Sequence, residues 1–221
     1  MSFSASGARA EVESAPPVPA GPGFLYLASQ SPRRRTLLEG LGLRVEPLLP
    51  GPEEDAEALE AFRSGEAPAD YVKRVALAKL DAARARHAAR NLHAAPILAA
   101  DTIVAIGGHL LGKPADATEA HEMLERLSGI THRVLTAVCV ARGKRTLQAI
   151  TVSRVRFARL STQAIATYVA TGEPLDKAGA YAIQGGAASF VRSVQGSYSG
   201  IVGLPLAETV ALLRRAGLPL P

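Results

Sequence analysis

A polar turn rich in arginine lies between a short apolar run and a helical segment. It reads SQSPRRR over residues 29–35 and follows the apolar run from Phe24 to Ala28. The start of a helix offers unpaired N–H groups and partial positive charge, and hydroxyls and guanidinium groups add donors that match phosphate oxygens. The turn therefore predicts an anion site, or alternatively a Ser31 that only caps the helix while the arginines face solvent. The candidate phosphate-binding side chains in this turn are Ser29, Ser31 and Arg34, with Arg33 beside them.

One carboxylate interrupts an apolar run in the middle of the chain. Asp101 stands in ILAADTIV, and we interpret this stretch as two strand segments, Pro96 to Ala100 and Ile103 to Ile106, that flank Asp101-Thr102. Removing a carboxylate from water is unfavourable unless it is paired, binds a metal or lies at a cleft. Ligands of α/β sheets often bind where strands end. Asp101 is therefore a candidate catalytic residue, and the alternative is that it caps a turn.

Two of the five lysines stand in unusual surroundings. Lys79 falls on the apolar stripe of a helix predicted from Pro68 to Ala89, and Lys113 lies in the restricted sequence Gly-Lys-Pro. Both are candidates to reach a bound phosphate. The alternatives are a Lys79 that extends along the apolar surface to solvent and a Lys113 on a surface loop. The acidic run at Glu53 and Glu54 is a weaker candidate, because such runs are usually solvated.

The elements that must position these residues alternate between strands and helices without an internal repeat. This order predicts one mixed α/β domain. The remaining predicted elements are a helix from Pro32 to Gly40, a strand from Val45 to Leu49, a helix from Ala117 to Leu127, a hairpin of Val134–Ala141 and Thr146–Phe157, a helix after Ser161 and a helix from Pro205 to Arg215.

Composition limits the class of protein. The chain has 221 residues, of which 48% are hydrophobic, so it can form one globular core, and disorder is excluded as its main state. No apolar run reaches the ~18 residues of a membrane-spanning helix, so no membrane partner is expected. The first 23 residues are rich in Ala, Pro, Gly and Ser, and we predict a disordered tail over 1–23 followed by one domain over 24–221.

The formal net charge of +5 indicates a polyanionic partner, either nucleic acid or a phosphorylated metabolite. Aromatic residues make up 5% of the chain and Trp is absent, so a stacking platform for nucleic acid is not supported. A GxxxxGK[ST] phosphate loop is absent, and the scattered histidines argue against a zinc hydrolase. Cys139 is the single cysteine, which excludes an internal disulfide and predicts a cytoplasmic location.

Seven motifs occur together and in one order along the chain. They are SQSPRR from Ser29, ExPxxYVxRxAxxK from Glu66, AADTIV from Ala99, GKP from Gly112, LSGITHRVLT from Leu127, GEPLDKAGAYAIQG from Gly172 and GSYSGIVGLPL from Gly196. In this combination the sequence closely resembles the Maf family of nucleoside triphosphate pyrophosphatases, from Leu25 to the last helix.

The resemblance implies hydrolysis of a nucleoside triphosphate between its α and β phosphates with a divalent cation, Mg²⁺ or Mn²⁺. It also implies the α/β fold of inosine triphosphate pyrophosphatases, in which a twisted sheet with flanking helices forms two lobes around a cleft, and a homodimer. Binding of nucleic acid is then not expected, since one small polyanion accounts for the positive charge.

Residue roles carry over motif by motif. Asp101 matches the catalytic proton acceptor of the family. Asp101 and Glu54 also match the carboxylates that hold the metal. Many family members have Asp-Glu where this chain has Glu53-Glu54-Asp55. Lys79 and Lys113 match the lysines at the phosphates. The positions that select the base are Arg33, Thr102 and Gln184.

The form DKAGAYAIQG resembles the subgroup that acts on dTTP and UTP, so these are the expected substrates, and modified pyrimidine nucleotides are the runner-up within the enzyme class. The alternative function is that of a non-enzymatic regulator of septum formation and cell division, or of a nucleic-acid-binding protein.

Overall fold

A mixed β-sheet with helices on both faces forms the centre of the fold in the computed structural model, which describes residues 24–220. The tail predicted over 1–23 lies outside the described residues. The strands are β1 (Phe24–Leu27), β2 (Arg44–Pro47), β3 (Ile97–Ile106), β4 (His109–Leu111), β5 (Thr131–Arg142), β6 (Arg145–Phe157) and β7 (Val191–Gln195). The α-helices are α1 (Pro32–Glu39), α2 (Pro68–Ala89), α3 (Ala117–Leu127), α4 (Thr162–Val169), α5 (Tyr198–Val202) and α6 (Leu206–Arg215). The mixed α/β prediction is confirmed.

The strand order is β2-β1-β3-β5-β6-β7, and β4 pairs with the far end of β3. β1 runs parallel to β2 and to β3, whereas the other pairs are antiparallel. β1 pairs with β3 only at Ile97 and Leu98, and β4 pairs with it only from Val104 to Ile106. Between these two stretches, β3 has a strand neighbour on the β5 side alone. This gap in the sheet contains Asp101.

Helices pack on both faces of the sheet and form a buried cluster of side chains on each face. A third buried cluster forms a second lobe. Helix α2 packs on one face against alternate residues of β3 such as Ala99 and Ile103. Helices α1 and α6 cover the other face, where Leu98 and Ala100 point, as the alternation of strand side chains requires. The second lobe packs α3 and α4 around Phe157 and the ends of β5 and β6. The expected cleft opens between the two lobes.

The predicted bounds of α2 and α3 are confirmed, and the predicted hairpin is present, although β5 begins three residues earlier than expected. One interpretation is wrong. The two strand segments expected around Asp101-Thr102 are a single strand, because β5 pairs with β3 without interruption from Ile97 to Ala105. Asp101 therefore lies inside a strand and reaches the cleft through the gap between β1 and β4, not at a strand end.

The glycine-rich stretch from Gly179 to Gly203 contains β7 and α5, together with short 3₁₀ helices. Gly179 adopts a φ of +69°, and a Cβ there would lie 2.7 Å from a methyl group of Val104. Its N–H donates to the carbonyl of Gly112 at 2.9 Å. A side chain is thus excluded at this position, and the DKAGAY motif packs directly on β3. No helix among the described residues is long and apolar enough to cross a membrane.

Candidate active site

The cleft between the lobes has a volume of about 960 Å³ and is lined by the sequence-predicted phosphate residues. This size lies within the range of about 300–1,000 Å³ found for sites that bind small molecules. Parts of the chain far apart in sequence meet there. The predicted residues on its wall are Ser29, Ser31, Arg33, Arg34, Glu54, Lys79, Asp101, Thr102 and Lys113.

The SQSPRR turn presents an uncapped helix start to this cleft. Pro32 occupies the first position of α1, where its missing N–H removes no hydrogen bond. Ser31 makes no side-chain cap, so the alternative in which it only caps the helix is wrong. Its N–H instead donates to Oγ of Ser29 at 3.2 Å. The first-turn N–H groups of α1 therefore stay available for an anion.

Arg34 connects this turn to two other parts of the site. Its Nε donates to the carbonyl of Gly203 at 2.9 Å, its Nη1 to Oγ of Ser29 at 3.1 Å and its Nη2 to Oγ1 of Thr102 at 3.3 Å. Burial lowers the pKa of the guanidinium, and the nearby negative charge of Asp101 partly opposes this shift. A guanidinium has five N–H donors, so two remain for a ligand after these three bonds.

Lys79 and Asp101 form the central ion pair of the cleft. Lys79 Nζ lies 2.7 Å from Oδ1 of Asp101, and the two side chains are 17% and 8% exposed. Asp101 and Lys79 meet because both α2 and the Asp101 side chain lie on the same face of the sheet. The bonded ammonium explains how a carboxylate is tolerated inside an apolar strand.

Glu60 is a site residue that the sequence analysis missed. Its Oε1 lies 2.7 Å from Lys79 Nζ, and its Oε2 lies 3.7 Å from Lys113 Nζ. Partial burial raises the pKa of this carboxyl, but the two lysines outweigh it and hold the pKa below its usual value. The Tyr71 hydroxyl donates to the backbone carbonyl of Glu60 at 2.9 Å and holds the segment in place. Glu60 lies six residues after Glu54, outside the motifs of the sequence analysis.

Glu54 lines the same cleft, but another residue binds its carboxylate. Its two oxygens accept from Nε and Nη2 of Arg86 at 2.8 and 2.6 Å, and Oε1 also accepts from the N–H of Gly51 at 3.0 Å. The hydrogen bonds from Arg86 and then from Gly51 lower the pKa of Glu54 to about 2. The structure thus pairs Glu54 with Arg86, and it pairs both Asp101 and Glu60 with Lys79.

A second, smaller pocket of about 40 Å³ adjoins the cleft. It brings together Arg33, Thr102 and Gln184, the three residues that the family resemblance relates to base selection. Apart from Lys177, its other walls are apolar or aromatic and include Tyr181 and Ile183. Thr102 and Arg33 line both cavities, so a ligand can extend from one into the other.

The hydrogen-bond direction at Thr102 is fixed by a chain of hydroxyl groups. Thr136 Oγ1 donates to the carbonyl of Gly200 at 2.7 Å and lies 3.0 Å from Thr102 Oγ1. Because Thr136 uses its only proton on Gly200, Thr102 must donate its own proton to Thr136. Thr102 also accepts from Arg34. The Thr102 hydroxyl can therefore accept a hydrogen bond from a ligand but cannot donate one to it.

The acidic groups of the cleft suit a metal that is bound jointly with phosphate. Within residues 24–220, no group of three or more His, Cys, Asp or Glu side chains is placed to hold a metal ion. Mg²⁺, however, is usually bound by one or two carboxylates together with substrate phosphates and waters. Asp101 and Glu60 already share one cation, the Lys79 ammonium, at 2.7 Å each. These carboxylates thus fit a divalent ion that arrives with a triphosphate.

Comparison with known proteins identifies relatives over nearly the whole chain. Three relatives carry the name dTTP/UTP pyrophosphatase. The protein from Polaromonas sp. (strain JS666) is 58% identical, and the alignment covers 96% of its length and 88% of this chain. The protein from Burkholderia pseudomallei is 62% identical over 93% of its length and 87% of this chain. The protein from Cupriavidus metallidurans is 61% identical over 98% of its length and 88% of this chain.

A solved structure, that of the Staphylococcus aureus Ham1 protein, aligns with 61% of this chain and 72% of its own, with a TM-score of 0.40 and 14% identity. The family model described as Maf-like protein matches residues 24–216. The chain therefore belongs to the Maf-like protein family.

Proposed function

We propose that this protein hydrolyses dTTP and UTP to the nucleoside monophosphate and pyrophosphate. The observation that supports this most is the connection of two cavities, a cationic cleft around Asp101 and a small pocket with Gln184. A triphosphate suits the first cavity and a nucleobase suits the second. The relatives named dTTP/UTP pyrophosphatase favour the same substrates.

Asp101 is the proposed general base. Its carboxylate would take a proton from a water molecule, whose oxygen then bonds to the α phosphorus in line with the leaving group. The bond between the α phosphorus and the bridging oxygen breaks, and pyrophosphate leaves with the electron pair. The ammonium of Lys79 holds Oδ1 of Asp101 in place for this step.

The remaining polar groups of the cleft would offset the charge of the triphosphate. Lys79 and Lys113 can transfer their contacts from Glu60 to phosphate oxygens, because Glu60 presently occupies both. The proposed phosphate-binding residues are therefore Ser29, Ser31, Arg34, Lys79 and Lys113. Donors that are already positioned when charge develops stabilise such transition states most effectively.

The hydroxyl of Thr102 supports the choice of uracil and thymine over cytosine. These two bases carry a hydrogen on N3, and Thr102 offers only an acceptor, because its proton is given to Thr136. Cytosine has an unprotonated N3, which is itself an acceptor and would face Thr102 without a proton between them. Arg33 and Gln184 are proposed to read the other edges of the base.

A divalent cation, Mg²⁺ or Mn²⁺, is proposed as the cofactor. Asp101 would hold it, with either Glu54, as the family pattern implies, or Glu60, as its shared contact with Lys79 favours. When bound, such an ion neutralises phosphate charge and polarises the phosphoryl oxygens.

Three further properties complete the proposal. Residues 24–221 would form the catalytic domain, residues 1–23 would be dispensable for activity, and the protein would act as a cytoplasmic homodimer. A chain that begins at residue 24 should then keep full activity. Light scattering of both chains should give twice the mass of one chain.

The decisive experiment is a panel of nucleoside triphosphates with detection of released phosphate after adding inorganic pyrophosphatase. We expect turnover of dTTP and UTP, with 5-methylated and pseudouridine triphosphates included to compare modified pyrimidines. Asp101→Asn should lower kcat by at least about 100-fold without loss of the cooperative unfolding transition. Near-equal turnover of dTTP, CTP and GTP would contradict the substrate assignment, and an active Asp101→Asn variant would contradict the role of Asp101.

A salt-dependent DNA gel shift on the same sample tests the alternative class. Binding of DNA without hydrolysis of any nucleotide would favour the non-enzymatic regulator.

A further inference from the structure

The side chain of Gln184 depends on its backbone for its position. Its amide lines the small pocket. The point from which this amide reaches into the pocket is set by the backbone segment that carries it. That segment is anchored two residues before and two residues after Gln184.

The anchor before Gln184 is the hydroxyl of Tyr168 on α4. This hydroxyl accepts from the N–H of Ala182 at 3.1 Å. The anchor after Gln184 is the carboxylate of Glu173, whose Oε2 accepts from the N–H of Gly186 at 3.2 Å. Both anchors hold main-chain groups, so they fix the path of the chain and leave the Gln184 side chain free for a ligand.

The two anchors are bonded to each other. The Tyr168 hydroxyl donates to Oε1 of Glu173 at 2.8 Å. Burial raises the pKa of the Tyr168 phenol, so the group keeps the proton that it donates. Tyr168 is 5% exposed, and its ring packs edge-on against Phe190 at a centroid distance of 5.2 Å. The chain of bonds from Ala182 through Tyr168 and Glu173 to Gly186 is thus continuous and partly shielded from water.

Gly185 shows how closely the carboxylate approaches this segment. A Cβ built on Gly185 would overlap the carboxylate of Glu173. A side chain at Gly185, the last residue of the motif AIQG, would thus displace this carboxylate from its position against the backbone. The contact is specific to Glu173, because a shorter side chain at residue 173 would not reach both Tyr168 and Gly186.

We propose that Glu173 and Tyr168 are positioning residues that set nucleobase specificity by fixing the backbone on both sides of Gln184. Neither side chain lines the small pocket or the cleft. They act through Gln184, and the inference rests on the proposed function only in naming the base as pyrimidine. A carboxylate is required because the site presents two donors, the Tyr168 hydroxyl and the Gly186 N–H, to one side chain. The Tyr168 hydroxyl and the Gly186 N–H contact different oxygens of Glu173, so an amide would place an NH2 donor opposite one of these two donors.

The test compares Glu173→Gln, Tyr168→Phe and the double variant with wild type on dTTP and CTP. Both substitutions keep the size of the side chain. We expect KM for dTTP to rise and the ratio of kcat/KM for dTTP over CTP to fall by about fivefold or more, because a buried donor or acceptor loses its partner. The double variant should lose little more than either single variant, since both break the same chain of bonds. Glu125→Gln and Tyr26→Phe, whose side chains lie outside both cavities, are the matched controls.

Inhibition by tripolyphosphate separates positioning from general damage to the site. This anion has no base, so its inhibition constant should not change in Glu173→Gln or Tyr168→Phe. An unchanged dTTP-to-CTP ratio, or an equal loss of affinity for tripolyphosphate, would overturn the proposal. If wild type fails to hydrolyse dTTP, the proposed function fails separately. The ratio is then measured from calorimetric binding of dTMP and CMP, and an unchanged ratio overturns the proposal there as well.

Discussion

The ammonium of Lys79 lies 2.7 Å from Oδ1 of Asp101, inside the gap that β1 and β4 leave along β3. Helix α2 delivers the lysine and β3 delivers the carboxylate, so the pair joins two elements of the first lobe. Both side chains are largely removed from water. The charge of Asp101 therefore depends on Lys79, whereas Lys79 has Glu60 as a second partner.

Replacing Lys79 by methionine should destabilise the protein and reduce its activity. Asp101 and Glu60 would lose their shared cation, and we expect the free energy of unfolding to fall by about 3 kcal/mol, with kcat/KM for dTTP lower by about 100-fold. Adding Asp101→Asn to Lys79→Met should restore at least about 1 kcal/mol. Urea unfolding measures the loss of stability in the single variant and its partial recovery in the double variant. Lys73→Met, on the exposed side of the same helix, is the control, and strictly additive losses would rule out the coupling.

Glu60 and Glu54 should respond differently to substitution. Glu60→Gln should raise the Mg²⁺ concentration for half-maximal activity by about tenfold and weaken Mn²⁺ binding measured by electron paramagnetic resonance with a non-hydrolysable dTTP analogue. Glu54→Gln should mainly lower the melting temperature, because the buried guanidinium of Arg86 loses its partner. Glu53→Gln serves as the control. The opposite pattern would assign the second metal carboxylate to Glu54.

Substitution of Thr136 should free the hydroxyl proton of Thr102 to donate to a ligand. In Thr136→Val, the Thr102 hydroxyl loses the oxygen to which it donates, and it can then turn its proton toward the pocket. The preference for dTTP over CTP should fall by about fivefold. The free energy of unfolding should also fall by about 1–3 kcal/mol, because the carbonyl of Gly200 loses its donor. Thr131→Val, at an exposed position of the same strand, should change neither quantity. A specificity unaffected by Thr136→Val would show that the direction of this hydrogen bond does not select the base.

Stability should decrease with acidity because of a buried histidine. Burial lowers the pKa of His132 to about 4, and its Nε2 is bonded to the Tyr181 hydroxyl at 2.8 Å. Below the ordinary histidine pKa of about 6.5 the unfolded chain binds a proton that the folded chain does not. The free energy of unfolding should therefore fall between pH 6.5 and pH 4, by up to about 3 kcal/mol.

His132→Gln can keep a hydrogen bond to Tyr181 and does not titrate, so it should flatten the pH dependence between pH 6.5 and 4.5. Glu54 contributes in a lower range, since its stabilising ionisation is complete above pH 4.5 and is lost as the pH falls toward 2. Urea unfolding at pH 7, 5.5 and 4.5 isolates the histidine. An unchanged slope in His132→Gln, with exposed His109→Gln as the comparison, would refute this assignment.

The sequence predicted α2 closely because Pro68 suits a first helical turn and the apolar stripe through Val72, Val75 and Ala76 continues over the whole helix. It predicted Asp101 as a site residue because a carboxylate in an apolar strand requires a partner. It misplaced Asp101 at a strand end, because two polar residues inside β3 looked like an interruption, whereas pairing with β5 passes through them.

Four residues find their hydrogen-bond or ion-pair partners only through contacts between segments that are separate in the sequence. They are Glu60, Thr136, Tyr168 and Glu173. The Glu60 carboxylate meets a lysine on α2, and Thr136 meets the carbonyl of Gly200 on α5. No local pattern of residue types distinguishes such a glutamate or threonine from a solvated one. Their partners depend on how α2, α4 and α5 are placed around the sheet.

The sequence by itself predicted most of the elements, Asp101 as a candidate site residue, the cationic turn and the family, because periodicity, capping and motif order are local properties of the chain. The tertiary structure decided which acid shares Lys79 with Asp101, which way the Thr102 proton points and what holds the backbone around Gln184. Those relationships depend on distances of about 3 Å between atoms from different elements, which are fixed only when the sheet and its helices pack together.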